Sequence, residues 1–228
     1  MERKLRMSTI LDDGCVLEIP RWVVDLDSFR RWVDLDSFPE KQRVLYLKGE
    51  VLIDMSREQL FSHAMVKGQL AQVLGGIANQ EKAGLYFCDG VLLTNVLADL
   101  SGKPDGSFLS FESLRSGKVR LVEGAEGGYV EIEGAADMVL EVISRSSVHK
   151  DTVLLPGAYW QAGINEYWLV DARKEPLRFD IYRHTAKGYV AIRRQAGWLR
   201  SAVFGKSFRL TRKVGPLGYP EFVLEVRD

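Results

Sequence analysis

Between Val44 and Met55 the chain reads VLYL, Lys48-Gly49, EVLIDM: two aliphatic and β-branched runs around a turn pair, which predicts a hairpin. Ser56, with Gln59 three residues on, has the form of a capping box and predicts a helix to about Gln80. One stripe of that helix is small (Ala64, Gly68, Ala71, Gly75, Ala78), the pattern of a helix lying close on a sheet. Leu85–Thr94 and Gly102–Phe111 read as strands, and Val119–Glu133 as a hairpin around Gly124, Gly127 and Gly128. Asp137–Ser144 is apolar on both faces apart from its acids. A helix over about His149–Ala162 and a second apolar strand, Glu166–Asp171, follow it, which predicts a buried parallel pair. Arg178–His184, Tyr189–Arg194 and Phe222–Val226 read as antiparallel strands. The class is α/β, with a mixed sheet and a β-rich basic end.

Three stretches divide the chain: residues 1–38 with a local repeat, a core over 39–171, and a basic part over 172–228 that belongs to the same domain. The repeat is RWVVDLDSF at Arg21–Phe29, returning as RWVDLDSF at Arg31–Phe38. Two copies are too few for a solenoid, and their unequal lengths prevent both from keeping one helical phase. One copy is expected as a short helix feeding the core and the other as a connector.

Composition narrows the function classes. With 46% hydrophobic and 27% charged residues in 228, the chain can bury a sizeable core without disulfides or structural metal. No apolar run approaches a membrane span and the opening residues lack the apolar centre of a signal peptide, so a cytoplasmic protein is expected. Cys15 and Cys88 form no Cys-x-x-Cys, and His63, His149 and His184 have no metal-ligand spacing. The zero net charge hides an asymmetry: residues 172–228 carry 13 basic and 5 acidic side chains. Arg193 and Arg194 head a stretch, interleaved with Trp198, Phe204 and Phe208, that could follow a phosphate backbone; a solvated strand face accounts for the same residues.

Glu141 is the most informative position. Alternation along DMVLEVIS puts Val139, Glu141 and Ile143 on one face and Met138, Leu140 and Val142 on the other. A carboxylate in such a strand must be paired, protonated or bound to a cation, because an uncompensated buried charge costs several kcal/mol. Asp105, after Pro104 in KPDGSF, can project from a strand end. Two carboxylates from adjacent strands, with a carbonyl and waters, make an oxygen-rich site suited to Mg²⁺ or Mn²⁺.

The order of GEVLIDMS, a helix carrying His63, PDGSF, DMVLEVIS, Asp151 opening a helix with Tyr159 and Gly163, and NEYWLVDA resembles the Uma-two family of restriction endonucleases, in the PD-(D/E)xK nuclease superfamily. The resemblance spans about Arg31 to Asp171. It implies a restriction-endonuclease-like fold, a central mixed sheet between helices. It makes Asp105 and Glu141 the metal-binding acids, with Glu50 and His63 supporting. The sequence departs from the pattern at the lysine. Two residues after Glu141 stands Ile143, and four after Asp151, where the family's lysine is expected on the following helix, stands Leu155, with Pro156 after it. Lys150 and Lys103 are the nearest basic residues, and Lys150 is the expected substitute.

Two readings follow. One is a Mg²⁺-dependent endonuclease acting on DNA, with Asp105, Glu141 and Lys150 catalytic and a homodimer supplying two sites for duplex cleavage. The other is a nuclease-like module that has lost catalysis and binds nucleic acid or protein. No Gly-rich phosphate loop or nucleophile elbow supports a third class.

Overall fold

The computed structural model describes residues 10–12, 15–17, 19–40, 42–54, 56–125 and 127–228. The expectations for the opening nine residues and the Cys15 side chain lie outside the described part. The elements run β1 (Ile10–Asp12), β2 (Cys15–Leu17), α1 (Leu26–Val33), β3 (Arg43–Leu47), β4 (Glu50–Asp54), α2 (Val66–Gln80), β5 (Gly84–Cys88), β6 (Leu92–Asn95), β7 (Leu100–Gly102), β8 (Gly106–Ser110) and α3 (Phe111–Arg115). They continue with β9 (Val119–Glu123), β10 (Tyr129–Gly134), β11 (Met138–Val142), α4 (Leu155–Gln161), β12 (Glu166–Asp171), β13 (Arg178–Thr185), β14 (Gly188–Ala191), β15 (Leu199–Arg200), β16 (Ser207–Val214) and β17 (Pro220–Arg227). Among the described residues no helix is long and apolar enough to cross a membrane.

Instead of one central sheet there are two six-stranded sheets, ordered β4-β3-β7-β6-β10-β9 and β14-β13-β12-β11-β8-β5. A three-stranded sheet, β15-β16-β17, closes the end. The expected strand Leu85–Thr94 is two strands, because Gly90 takes a φ of 95° and sends β5 and β6 into different sheets. The parallel pair is present, with Glu141 opposite Leu169 across β11 and β12, and β8 runs antiparallel on the other side of β11. The faces of β11 divide as the alternation requires. Met138, Leu140 and Val142 enter a core with α2, Trp168 and the C-terminal Phe204 and Phe208; Val139 and Ile143 enter a second with Leu155, Tyr159 and Tyr167.

Two helix expectations need correcting. Ser56 does not cap the long helix: the chain enters it through a wide π-type turn over Leu60–Met65, where the Gln59 side chain accepts the Ser62 N–H. The small-residue stripe faces the sheet only in part: Ala78 is buried in the core and Gly75 lies beside Tyr86 of β5, but Gly68 is exposed, and Val66, Leu70, Leu74 and Ile77 bury most of the inner face.

The repeat resolves differently from the expected helix and connector. Helix α1 straddles the junction of the two copies: Asp25 of the first caps its start, accepting the Ser28 N–H at 2.8 Å, and Asp34 of the second ends it. The tryptophans part company, Trp22 being 44% exposed and Trp32 1%. Phe29, Trp32, Phe38 and Tyr46 form a ring cluster with centroid spacings of 5.0 to 6.4 Å. Trp32→Ala is expected to lower stability by about 3–5 kcal/mol, read by urea melting, with Trp22→Ala costing under about 1 kcal/mol.

Candidate active site

Asp105 precedes β8, and the antiparallel register setting Gly106 opposite Leu140 brings it alongside Glu141 and Val142. Gly106 has to be glycine, since a Cβ there would collide with the Tyr86 hydroxyl. Asp105 Oδ2 accepts the Val142 N–H at 2.7 Å, and Tyr159 from α4 donates its hydroxyl to Glu141 Oε1 at 2.6 Å. Each acid is thus fixed through one oxygen. The other oxygens have only longer neighbours: Lys150 Nζ is 3.3 Å from Glu141 Oε2, and Lys67 and Arg43 are 3.7 and 3.8 Å from Asp105 Oδ1. Both acids line a cavity of about 250 Å³ that also takes in Arg43, Asp54, Lys103 and Lys150.

Lys150 therefore reaches the acids. It opens the π-type turn Lys150–Leu154 ahead of α4 and stands between Glu141 and Asp151, 2.9 Å from Asp151 Oδ1. That Asp151 oxygen is buried with the Lys150 ammonium as its one close partner, while Oδ2 takes the Ser147 hydroxyl at 2.5 Å. A single ammonium between two fully buried carboxylates cannot neutralise both. Burial pushes Glu141 up to about 8 against the pull of Lys150, and Asp151 is raised for the same reason. Pro156 falls in the first turn of α4, where its missing N–H costs nothing.

On the far side of Asp105 lies a network of which sequence reasoning named only His63. His63 is 1% exposed, with Nε2 3.8 Å from Asp105 Oδ2 and Nδ1 2.9 Å from Glu58 Oε1. Lys67, one helical turn on, bridges Glu58 and Asp89 at 2.5 Å each. Burial alone would raise Glu58, but Lys67 and His63 at its carboxylate pull it down to about 2. The His63 and Lys67 spacing of four was the available signal; Arg43, Glu58 and Asp89 meet them only through tertiary folding.

Other expected residues stand apart. Glu50 is exposed at the turn end of the β3–β4 hairpin, opposite Leu47, whereas Arg43 and Asp54 at the open end line the cavity. The hairpin turn, with Lys48 and Gly49 both at positive φ, closes beside Glu50, at the end of β4 away from Asp54. Arg193 and Arg194 follow β14, an edge strand three positions from β11. Arg194 is tied back to the Phe179 carbonyl and lies 3.3 Å from Asp180. Arg209, Arg212 and Lys206 pair with Glu225, Glu175 and Asp228, so much of the basic end is internally compensated. Ile143 and Leu155 are both 1% exposed, but only Leu155 also lines the cavity.

The donor set fits a hard divalent cation: two fixed carboxylates, each with an oxygen free of short hydrogen bonds, in a cavity with room for water. Among the described residues no three His, Cys, Asp or Glu side chains converge on one point. Protein ligation would rest on Asp105 and Glu141, as suits Mg²⁺, which keeps several waters.

A family model described as "Putative restriction endonuclease", the Uma2 family, matches residues 26–213, and the chain belongs to that family. A solved structure from Anabaena variabilis, described as "a putative nuclease belonging to DUF820", superposes with a TM-score of 0.59 at 16% identity, covering 80% of this chain and 91% of that one. The fold is the restriction-endonuclease-like α/β fold. No curated protein matches the chain.

Proposed function

We propose that the chain is a Mg²⁺- or Mn²⁺-dependent endonuclease that hydrolyses DNA phosphodiester bonds, with Asp105 and Glu141 holding the metal and Lys150 as the active-site cation. The observation that carries this reading is the matched anchoring of the two acids, each held through one oxygen and both lining the same cavity. A divalent cation bound there would polarise a phosphoryl oxygen and lower the pKa of a coordinated water. The chain's own groups do the rest. The Val142 N–H and the Tyr159 hydroxyl hold the acids in place, and Lys150 offers a positive charge where negative charge develops on the phosphate. The apolar wall of Leu52 and Leu155 limits water on one side. The alternative, a nuclease-like module that binds without cutting, draws support from Lys150, which is already shared with Asp151.

Supercoiled plasmid incubated with purified protein across a Mg²⁺ titration separates the two. Nicking that rises with Mg²⁺ and stops in EDTA is the expected result; intact plasmid at every Mg²⁺ and Mn²⁺ concentration, with the DNA nevertheless bound, would favour the binding module.

A further inference from the structure

We infer that Arg43, His63 and Lys67 form a subsite for a backbone phosphate of the DNA strand, and that the carboxylates of Glu58 and Asp89 fill it in the free protein. This rests on the nuclease reading only for the choice of DNA as the phosphate's source. One oxygen, Glu58 Oε1, is met by three donors: Lys67 Nζ at 2.5 Å, His63 Nδ1 at 2.9 Å and Arg43 Nη2 at 3.6 Å. Arg43 Nη1 lies 3.4 Å from His63 Nε2, on the opposite side of the ring from the nitrogen that meets Glu58. Asp89 Oδ2 takes the second position, 2.5 Å from Lys67 and 3.7 Å from Arg43. Two oxygens converging on the same lysine and arginine present what two oxygens of one phosphate would present.

The donors stand in regular elements and the acceptors in connections. Arg43 opens β3, His63 sits in the π-type turn and Lys67 in the first turn of α2, with the His63 and Lys67 side chains only 2% and 9% exposed. Glu58 and Asp89 belong to connections, one between β4 and that turn and the other between β5 and β6, and each side chain is 41% exposed. The two carboxylates can swing into solvent without breaking an element, leaving the buried His63 and Lys67 and the part-exposed Arg43 facing the vacated space. The subsite adjoins the acid pair, since all three donors come within 3.8 Å of Asp105. A phosphate held there would place the neighbouring stretch of strand at the cavity. Exchanging a protein carboxylate for a phosphate keeps the buried cations compensated throughout, which a cluster open to water would not.

The test is DNA binding in EDTA, where no cutting occurs, followed by fluorescence anisotropy with a labelled duplex oligonucleotide. Glu58→Gln keeps the hydrogen-bonding shape and removes the competing charge. It is expected to bind about fivefold more tightly than wild type, with the wild-type salt slope, since the same phosphate contact forms in both complexes. Arg43→Gln is expected to bind more weakly with a flatter slope. A folded Glu58→Gln protein with wild-type affinity would overturn the inference. Should that variant fail to fold, Asp89→Asn is read by the same criterion. Competition by millimolar inorganic phosphate that is lost in Arg43→Gln supports the phosphate chemistry. An RNA duplex showing the fivefold gain while DNA shows none would overturn the assignment to DNA. Because the readout is metal-free, absence of nicking leaves the subsite standing, and wild-type nicking with no Glu58→Gln effect removes the subsite alone.

Discussion

Glu141→Gln is expected to abolish metal-dependent nicking, by at least about 10²–10³-fold, while the protein stays folded. Asp105→Asn should do the same, and titration calorimetry should show Mg²⁺ binding lost in both. The amide at position 141 can still accept the Tyr159 hydroxyl, so packing around β11 and α4 is preserved. Stability in EDTA supplies an independent check. Burial raises Glu141 from 4.5 to about 8 in the folded chain, so the native state holds a proton the unfolded state releases. Wild-type stability should therefore fall as pH rises from about 4.5 to about 8, and this part of the slope should vanish in Glu141→Gln. Unchanged calorimetric affinity in both folded variants would remove Asp105 and Glu141 from the metal site.

Leu155→Lys is expected to raise nicking above wild type, by up to about 10²–10³-fold. Leu155 begins α4 and lines the cavity beside Glu141 and Lys150, so a lysine can direct its ammonium toward the acids while its methylenes replace the buried leucine. The same substitution at Ile143 has no such outlet. That side chain packs among Val139, Tyr159 and Leu169, and a buried ammonium there should cost several kcal/mol and lower the melting temperature sharply. Nicking assays on the two variants and on Lys150→Ala, each checked by thermal melt, separate the possibilities. Loss in Lys150→Ala with no gain in Leu155→Lys would show that Lys150 already fills the role. Inactivity in wild type and in folded Leu155→Lys would favour the binding module.

How much of this was legible in the sequence depended on whether the signal was local. The faces of β11, the parallel partner Glu166–Asp171 and the Val44–Met55 hairpin rest on alternation and turn chemistry, and these hold. So does the proximity of Asp105, Glu141 and Lys150, which share one cavity. Strand β16 was hidden because SFRLTRKV reads equally as a basic run, although Phe208 and Leu210 alternate with its cations and are buried. The small stripe of α2 was legible only toward its C-terminal end: Ala78 is buried and Gly75 adjoins Tyr86, but Leu70 and Leu74 decide which face is buried and leave Gly68 outside. Glu50 and Asp54 lie at opposite ends of one five-residue strand, and only the fold shows which end meets β8 and β11. Arg43, Glu58 and Asp89 carry no spacing signal, because three separate segments bring them together.

Helix α1 has a consequence for the history of this segment. When a string of residues is first doubled, either copy is dispensable and a single deletion restores the ancestor. Here the copies have divided their labour along the helix: the first supplies the capping aspartate and Phe29, the second the buried tryptophan and Phe38. Deleting the first copy would remove the start of the helix and Phe29, and deleting the second the buried tryptophan and Phe38, so near-identical letters are no longer interchangeable.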